Sequence, residues 1–143
     1  MTILRSTPEF LPSEVVVAEE VIDAYLTNSL KSGYHILVAN KGGEISGYVC
    51  YGETPLTEGT WDVYWIAVDR KFQGAGVGTA LMKAAESNIQ KSNGRMVVIE
   101  TSSKPDYNKT RKFHTAQGYS EVAFIPDFYT VGDGKVIMVK RLK

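Results

Sequence analysis

Three glycines at alternate positions interrupt a segment that otherwise has the pattern of a helix. They are Gly74, Gly76 and Gly78, within the stretch "VDRKFQGAGVGTALM" at residues 68–82. Glycine is roughly 1 kcal/mol less favourable than alanine inside a helix, but it permits positive φ angles and close approach to the backbone. We therefore expect a tight turn here against which a ligand lies.

The segments on either side of the glycines have clear patterns of their own. "TWDVYWIAV" (60–68) is rich in aromatic and β-branched residues and predicts a strand. Apolar residues from Val77 to Ile89 recur at helical spacing, and Asn93-Gly94 would end that helix. A strand, a glycine turn and a helix N-terminus together favour an anion, because the first N–H groups of a helix are unpaired and carry partial positive charge.

Two common phosphate-binding motifs do not fit this turn. A P-loop needs Lys and then Ser or Thr after its last glycine, and no suitable glycine here is followed by Lys. The dinucleotide fingerprint G-x-G-x-x-G, counted from Gly74, needs glycine or alanine where the chain has Thr79. Both interpretations are excluded.

The remaining segments predict a sheet with helices on its faces. A helix is expected over residues 13–33, followed by two strands around a Lys41-Gly42-Gly43 turn. "MVVIE" reads as a strand buried on both faces, Pro105 opens another helix that Gly118 ends, and "YSEVAFI" and "KVIMVKRL" are strands. This order predicts an α/β or α+β class.

Composition limits the classes of function. A chain of 143 residues suits one domain, 1–143, and its 16 basic and 16 acidic residues balance, which argues against a nucleic-acid surface. No segment has the roughly 18 apolar residues of a membrane span, and the start lacks the apolar region of a signal peptide. The one cysteine, Cys50, excludes an internal disulfide and reads as core packing. We expect a cytoplasmic protein.

Gln73-Gly74-Ala75-Gly76-Val77-Gly78 fits the pattern Q-x-x-G-x-G. With the strand before it and the helix after it, this motif resembles the coenzyme A signature of the GNAT N-acetyltransferase superfamily. The likeness covers about residues 35–142. A second motif, at residues 107–119, resembles the downstream GNAT helix, with Tyr107 at the usual Asn position and His114 at the usual Tyr position. The ending resembles a small-molecule branch of these enzymes.

The resemblance implies a GNAT-like fold, a central mixed and mostly antiparallel sheet flanked by helices. It implies direct acetyl transfer from acetyl-CoA to a primary amine of a small molecule or peptide in a ternary complex, without a metal. The partners would be acetyl-CoA and an amine acceptor, and a homodimer is an open alternative.

The resemblance also assigns coenzyme-binding positions. Backbone N–H groups of the turn would hold the pyrophosphate, with help from the Gln73 side chain. The strand at Ile66, Ala67 and Val68 would pair with the pantetheine arm, and the Val68 N–H would polarise the thioester carbonyl. The positions so assigned, with two from the downstream helix, are Ile66, Ala67, Val68, Gln73, Gly74, Ala75, Gly76, Val77, Gly78, Thr79, Tyr107 and Asn108.

Two carboxylates are candidates for the general base. Asp62 lies six residues before Val68 on the same strand, where strict alternation places Asp62, Tyr64 and Ile66 on one face. Glu100 follows the next buried strand. Asp62 as a loop hydrogen-bond partner, Glu100 as a helix cap, and a water chain acting as the base remain open.

His114 takes the position at which the family carries the tyrosine that protonates the leaving thiolate. An unperturbed histidine, with a pKa near 6.5, is only about a quarter charged at neutral pH. His114 could still donate a proton, because the coenzyme thiol has a pKa near 8.5. His114 is the first candidate for the acid and Tyr129 is the second. A purely structural His114 is the alternative.

Two other functions stay open. The first is a non-catalytic acyl-CoA sensor or scaffold that uses the same pocket. The second is an interaction protein in which the glycine turn is incidental.

Overall fold

The computed structural model describes residues 34–41 and 44–143. The predicted helix over 13–33 lies outside the described residues, as do two positions of the 41–43 turn. Short 3-10 turns at Arg70–Phe72 and Pro105–Tyr107 precede the two described helices. The elements are β1 (His35–Lys41), β2 (Glu44–Glu53), β3 (Thr60–Val68), α1 (Val77–Lys91), β4 (Met96–Ser102), α2 (Asn108–Ala116), β5 (Ser120–Thr130) and β6 (Asp133–Arg141).

The strands form one six-stranded sheet in the order β1-β2-β3-β4-β6-β5. Only β3 and β4 are parallel among the described pairs, and every other neighbouring pair is antiparallel. The predicted mixed, mostly antiparallel sheet is therefore confirmed. The parallel pair follows from α1, which carries the chain back across the sheet between the two strands.

The parallel pair separates before either strand ends. Pairing between β3 and β4 runs only from Thr60–Met96 to Val63–Ile99. Beyond that point β3 stays paired with β2 as far as Val68, and β4 stays paired with β6 as far as Ser102. The two strands therefore leave a gap between them, and this gap opens towards the glycine turn.

A β-bulge on β3 lies at the start of this gap. Tyr51 of β2 is opposite Val63, and Cys50 is opposite Trp65, so Tyr64 is the extra residue. The bulge reverses the alternation, and Ile66 packs against the same core cluster as Val63. The prediction that Asp62, Tyr64 and Ile66 share one face is therefore wrong, because Ile66 lies on the opposite face from Asp62.

The core lies between α1 and one face of the sheet. Leu81, Met82, Ala85 and Ile89 of α1 are at most 4% exposed. They pack with alternate residues of the central strands, and Phe113 of α2 borders the same cluster. In β4, Val97 and Ile99 are buried while Met96 and Val98 are only partly buried, so the expectation that "MVVIE" is buried on both faces is too strong.

Candidate functional site

The turn between β3 and α1 is an open backbone surface. Gly74 and Gly76 have φ angles of 85° and 83°, and both residues are exposed. A Cβ atom built at either position would meet nothing within 4 Å. The glycines are therefore needed for their backbone conformation, and the space that a side chain would fill is open to a ligand.

Helix α1 begins directly after this surface. Gly76 is its N-cap and supplies no side-chain hydrogen bond, and the first backbone bond of the helix runs from the Ala80 N–H to the Gly76 carbonyl at 3.0 Å. The preceding N–H groups, at Val77, Gly78 and Thr79, have no acceptor within the helix. They supply the donors and the positive end of the helix dipole that an anion requires.

Gly78 has a different role from the other two glycines. A Cβ atom built there would come within 3.2 Å of the Phe113 ring of α2. The third glycine therefore lets α2 approach the first turn of α1. This contact connects the turn to the helix that carries His114.

The Gln73 side chain points back towards β3. Its Nε2 donates to the Val68 carbonyl at 3.1 Å. Gln73 was predicted to assist at the phosphates. In this structure its side chain joins the turn to the end of the strand, and the role at the phosphates stays a prediction.

The backbone of β3 presents free groups to the gap. The Asp69 N–H donates to the Ser46 carbonyl of β2 at 2.8 Å. Because hydrogen bonding alternates along an antiparallel pair, Ala67 also faces β2, whereas Ile66 and Val68 direct their N–H groups to the other side. That side is the gap, so Ile66 and Val68 are placed to pair with an extended ligand, and the Ala67 backbone is not.

The two candidate bases lie on one face of the sheet, opposite α1. Asp62 is opposite Val98, and Glu100 follows Val98 by two residues, so alternation places both carboxylates on the same side. Thr54 Oγ1 donates to Asp62 Oδ2 at 2.7 Å. Glu100 is 48% exposed and pairs with Lys135 at 3.0 Å. At the turn that begins at Pro105, the Lys104 N–H donates to Ser102 Oγ at 3.1 Å, so the side chain that accepts there is Ser102 and not Glu100.

His114 is buried at the position matched to the family's tyrosine. It is 2% exposed, its ring lies against those of Phe113 and Tyr119, and Nδ1 has no hydrogen-bond partner. Burial lowers the pKa of His114 from 6.5 to about 4. The expectation of a partly charged histidine at neutral pH is therefore wrong, because this side chain is neutral there.

Tyr129 of β5 lies in a polar setting. The residue is 48% exposed. Burial of its hydroxyl raises the pKa of Tyr129, and the charges of Lys135, Glu100, Asp133 and Tyr107 also act on it. Because these groups act on Tyr129, this second acid candidate lies near Glu100 and near Tyr107, a predicted coenzyme residue.

Two residues with evident roles near the site were not predicted. Gln117 Nε2 donates to Thr79 Oγ1 at 3.1 Å, and joins the end of α2 to the first turn of α1. Arg111 donates to the Ser102 and Lys104 carbonyls and to Asn108 Oδ1, so it holds the loop between β4 and α2. For Arg111 the spacing of three from Asn108 on a helix was an available signal. For Gln117 there was none.

The described part of the chain holds neither a metal-binding cluster nor a membrane-spanning helix. In residues 34–41 and 44–143 no group of three or more His, Cys, Asp or Glu side chains is arranged to hold a metal. No helix in that part of the chain is long and apolar enough to cross a membrane. Cys50 is buried, and burial raises its pKa to about 12, as a core thiol requires.

Residues 4–119 match the model of the acetyltransferase (GNAT) family. The chain belongs to the GNAT acetyltransferase family. The glycine turn, the strand gap and the position of His114 can therefore be interpreted as parts of a GNAT domain.

Relatives of this GNAT chain agree in fold. A structure from Desulfovibrio desulfuricans assigned to the GNAT family is 38% identical, covers 99% of this chain and 89% of its own, and has a TM-score of 0.95. YncA of Salmonella typhimurium, whose structure holds acetyl-CoA as its cofactor, is 19% identical with a TM-score of 0.72, over 87% of this chain and 73% of its own. The latter likeness shows the fold alone.

A curated relative is an uncharacterised N-acetyltransferase of Methanocaldococcus jannaschii. It is 27% identical over 107 residues, which are 73% of this chain and 64% of that protein. The GNAT chain thus spans less than two thirds of the length of the curated relative that it matches.

Proposed function

We propose that this GNAT domain transfers an acetyl group from acetyl-CoA to a primary amine of a small molecule or peptide, with both substrates bound together. The observation that carries the proposal is the glycine turn, where open space at Gly74 and Gly76 meets the unpaired N–H groups of α1. These donors suit the diphosphate of the coenzyme. Tyr107 and Asn108, at the start of α2, are proposed as further coenzyme contacts.

The gap between β3 and β4 supports the proposed site for the pantetheine arm of the coenzyme. An extended pantetheine arm would add to the free edge of β3 as another strand does, through Ile66 and Val68. When bound, acetyl-CoA supplies the acetyl group and a thiol as leaving group. The Val68 N–H is proposed to hydrogen-bond to the thioester carbonyl oxygen, because its orientation into the gap requires no rearrangement.

Proton transfers need side chains around the gap. A lysine-like amine, with a pKa near 10.4, must lose a proton to attack, at a cost of roughly 4 to 5 kcal/mol at neutral pH. We propose Glu100 as the base that accepts this proton, because it lies on β4 directly after the last pair with β3. Asp62 and a water chain are the alternatives that the experiments must exclude.

The leaving thiolate needs the other proton. A neutral imidazole is a weak acid, so a buried His114 with a pKa of about 4 is a poor donor at neutral pH. The Tyr129 hydroxyl keeps its proton at that pH, since its pKa is raised. We therefore propose Tyr129 as the acid and a packing role for His114.

Coenzyme binding and turnover test the proposal in two steps. Calorimetric titration with coenzyme A should give a dissociation constant in the range of about 1 μM to 1 mM. ADP carries the diphosphate without the pantetheine arm and should bind more weakly. Thiol release from acetyl-CoA should then depend on an added primary amine. Absence of coenzyme binding would remove the assignment of the glycine turn.

A non-catalytic acyl-CoA sensor is the second candidate. It is favoured by the buried, neutral His114 at the position where the family carries an acid. It predicts coenzyme binding without thiol release for every amine tested. The same two measurements therefore separate the two functions.

A further inference from the structure

The carboxylates near the gap differ in whether a cation accompanies them. Glu100 pairs with Lys135 at 3.0 Å, and Asp133 lies 4.0 Å from Lys104. In the part of the chain that the structure describes, Asp62 has no Lys, Arg or His partner, and its one hydrogen bond is from Thr54. Asp62 is also partly buried. A partly buried carboxylate without a cation is a favourable place for a positively charged ligand.

Aromatic rings lie beside this unpaired carboxylate. Tyr64, the bulged residue of β3, is 40% exposed, and its ring meets Tyr34 edge to face at 5.4 Å. Burial raises the pKa of the Tyr64 hydroxyl, and the charges of Asp62 and Tyr34 add to this effect. Asp62 and Tyr34 are therefore both neighbours of Tyr64. Aromatic rings beside a carboxylate suit an alkylammonium group, which the ring faces also attract.

The position of Asp62 relative to the gap indicates which end of an acceptor molecule would contact Asp62 and Tyr64. Asp62 comes just before Val63, the last β3 residue that pairs with β4, whereas Glu100 comes just after that pairing ends. Strand spacing puts the Cβ atoms of Asp62 and Glu100 about 8 Å apart. A short alkyl chain can span this distance, with one end at the gap and the other at Asp62.

The chemistry of the reaction separates the two ends of such a molecule. A carboxylate with no cation beside it stabilises an ammonium ion, so a group bound at Asp62 would keep its proton, whereas the charge of Glu100 is already balanced by Lys135. The reacting amine must instead lose its proton. Asp62 is thus better suited to a group that stays charged than to the nitrogen that is acetylated.

We propose that Asp62, Tyr34 and Tyr64 form a subsite for a second positive charge on the acceptor, so that alkyl diamines are preferred over monoamines. The inference rests on the proposed acetyltransferase function. It assigns Asp62 to substrate binding and not to the base.

Putrescine and butylamine provide a matched pair of probes, because they differ by one ammonium group on the same carbon chain. Thiol release from acetyl-CoA should give a kcat/KM for putrescine at least about tenfold above that for butylamine. Asp62→Asn should remove this preference by raising the KM for putrescine towards that for butylamine. Glu121→Gln removes an exposed carboxylate of β5 and should leave the preference intact.

Three results would overturn the subsite. They are equal use of both amines by the unaltered protein, a preference that survives Asp62→Asn, and an Asp62→Asn variant that loses kcat equally for both amines. The last result would make Asp62 the base. Folding of each variant is checked by its coenzyme A affinity.

Calorimetric titration of putrescine into the protein tests the subsite without turnover. Binding of putrescine that exceeds binding of butylamine, and that Asp62→Asn abolishes, supports the subsite even if no thiol is released. No difference between the amines contradicts it. Loss of coenzyme A binding, by contrast, overturns the proposed function alone.

Discussion

The glycine turn at residues 73–79 and the proposed acceptor face, formed by Asp62, Tyr64 and Glu100, are built in different ways. The turn consists of consecutive residues and acts through backbone N–H groups. The acceptor face draws side chains from β3 and β4, and even the pair formed by Glu100 and Lys135 joins two strands. The turn thus depends on local conformation, whereas the acceptor face depends on register and on one bulge.

The largest effect is expected at the turn. Gly76→Glu should weaken coenzyme A binding about 1,000-fold, because a carboxylate would occupy the open space where the diphosphate is proposed to lie. Gly132→Glu is the matched control. Gly132 has a φ of 86°, against 83° for Gly76, and a Cβ there would also meet nothing within 4 Å. The control therefore carries the same backbone strain, but in the hairpin between β5 and β6. Similar affinities in both variants would show that the turn holds no diphosphate.

The same contrast explains what could be predicted from sequence. The glycine turn, β3 over 60–68 and the helix from Val77 were predictable, because turn chemistry and periodicity act over a few residues. The face of the sheet on which Ile66 lies was not predictable, because the bulge at Tyr64 reverses the alternation on which the prediction depended. Nor could sequence predict the partner of Glu100, because Lys135 meets it only through the pairing of β4 with β6.

His114 belongs to α2, which packs against the glycine turn, and its burial was equally invisible in the sequence. Phe113 beside it packs against Gly78 of the turn, while Tyr119 lies against the His114 ring. Tyr119 in turn donates to Glu86 of α1 at 2.8 Å, and Lys140 pairs with the same carboxylate at 2.8 Å. The burial of His114 therefore results from packing between α2, α1 and β6.

Burial of His114 should make stability fall as the pH is lowered. The unfolded chain takes up a proton below about pH 6.5, but the folded protein does so only near pH 4, so the folded state loses relative stability between these values. The shift corresponds to about 3 kcal/mol over that window. The free energy of unfolding, measured with urea, should fall less between neutral pH and about pH 4 for His114→Phe than for the unaltered protein.

His35→Gln removes the chain's other histidine and serves as the control for this measurement. It retains His114 and should therefore keep the pH dependence that His114 causes. If His114→Phe and the unaltered protein lose stability in parallel, His114 is not held neutral by its surroundings, and its exclusion as a charged acid would fail as well.

The smallest effect should separate the two acid candidates. Tyr129→Phe removes a hydroxyl that keeps its proton at neutral pH, and should lower kcat about tenfold while coenzyme A affinity stays the same. The reduction is modest because a thiolate with a pKa near 8.5 leaves without much assistance. His114→Phe should lower kcat no more than about threefold, since a neutral buried imidazole gives up its proton poorly. A larger loss of kcat in His114→Phe than in Tyr129→Phe would indicate that His114 of α2, and not Tyr129, is the acid. It would also mean that packing around the glycine turn, and not the acceptor face, controls the second proton transfer.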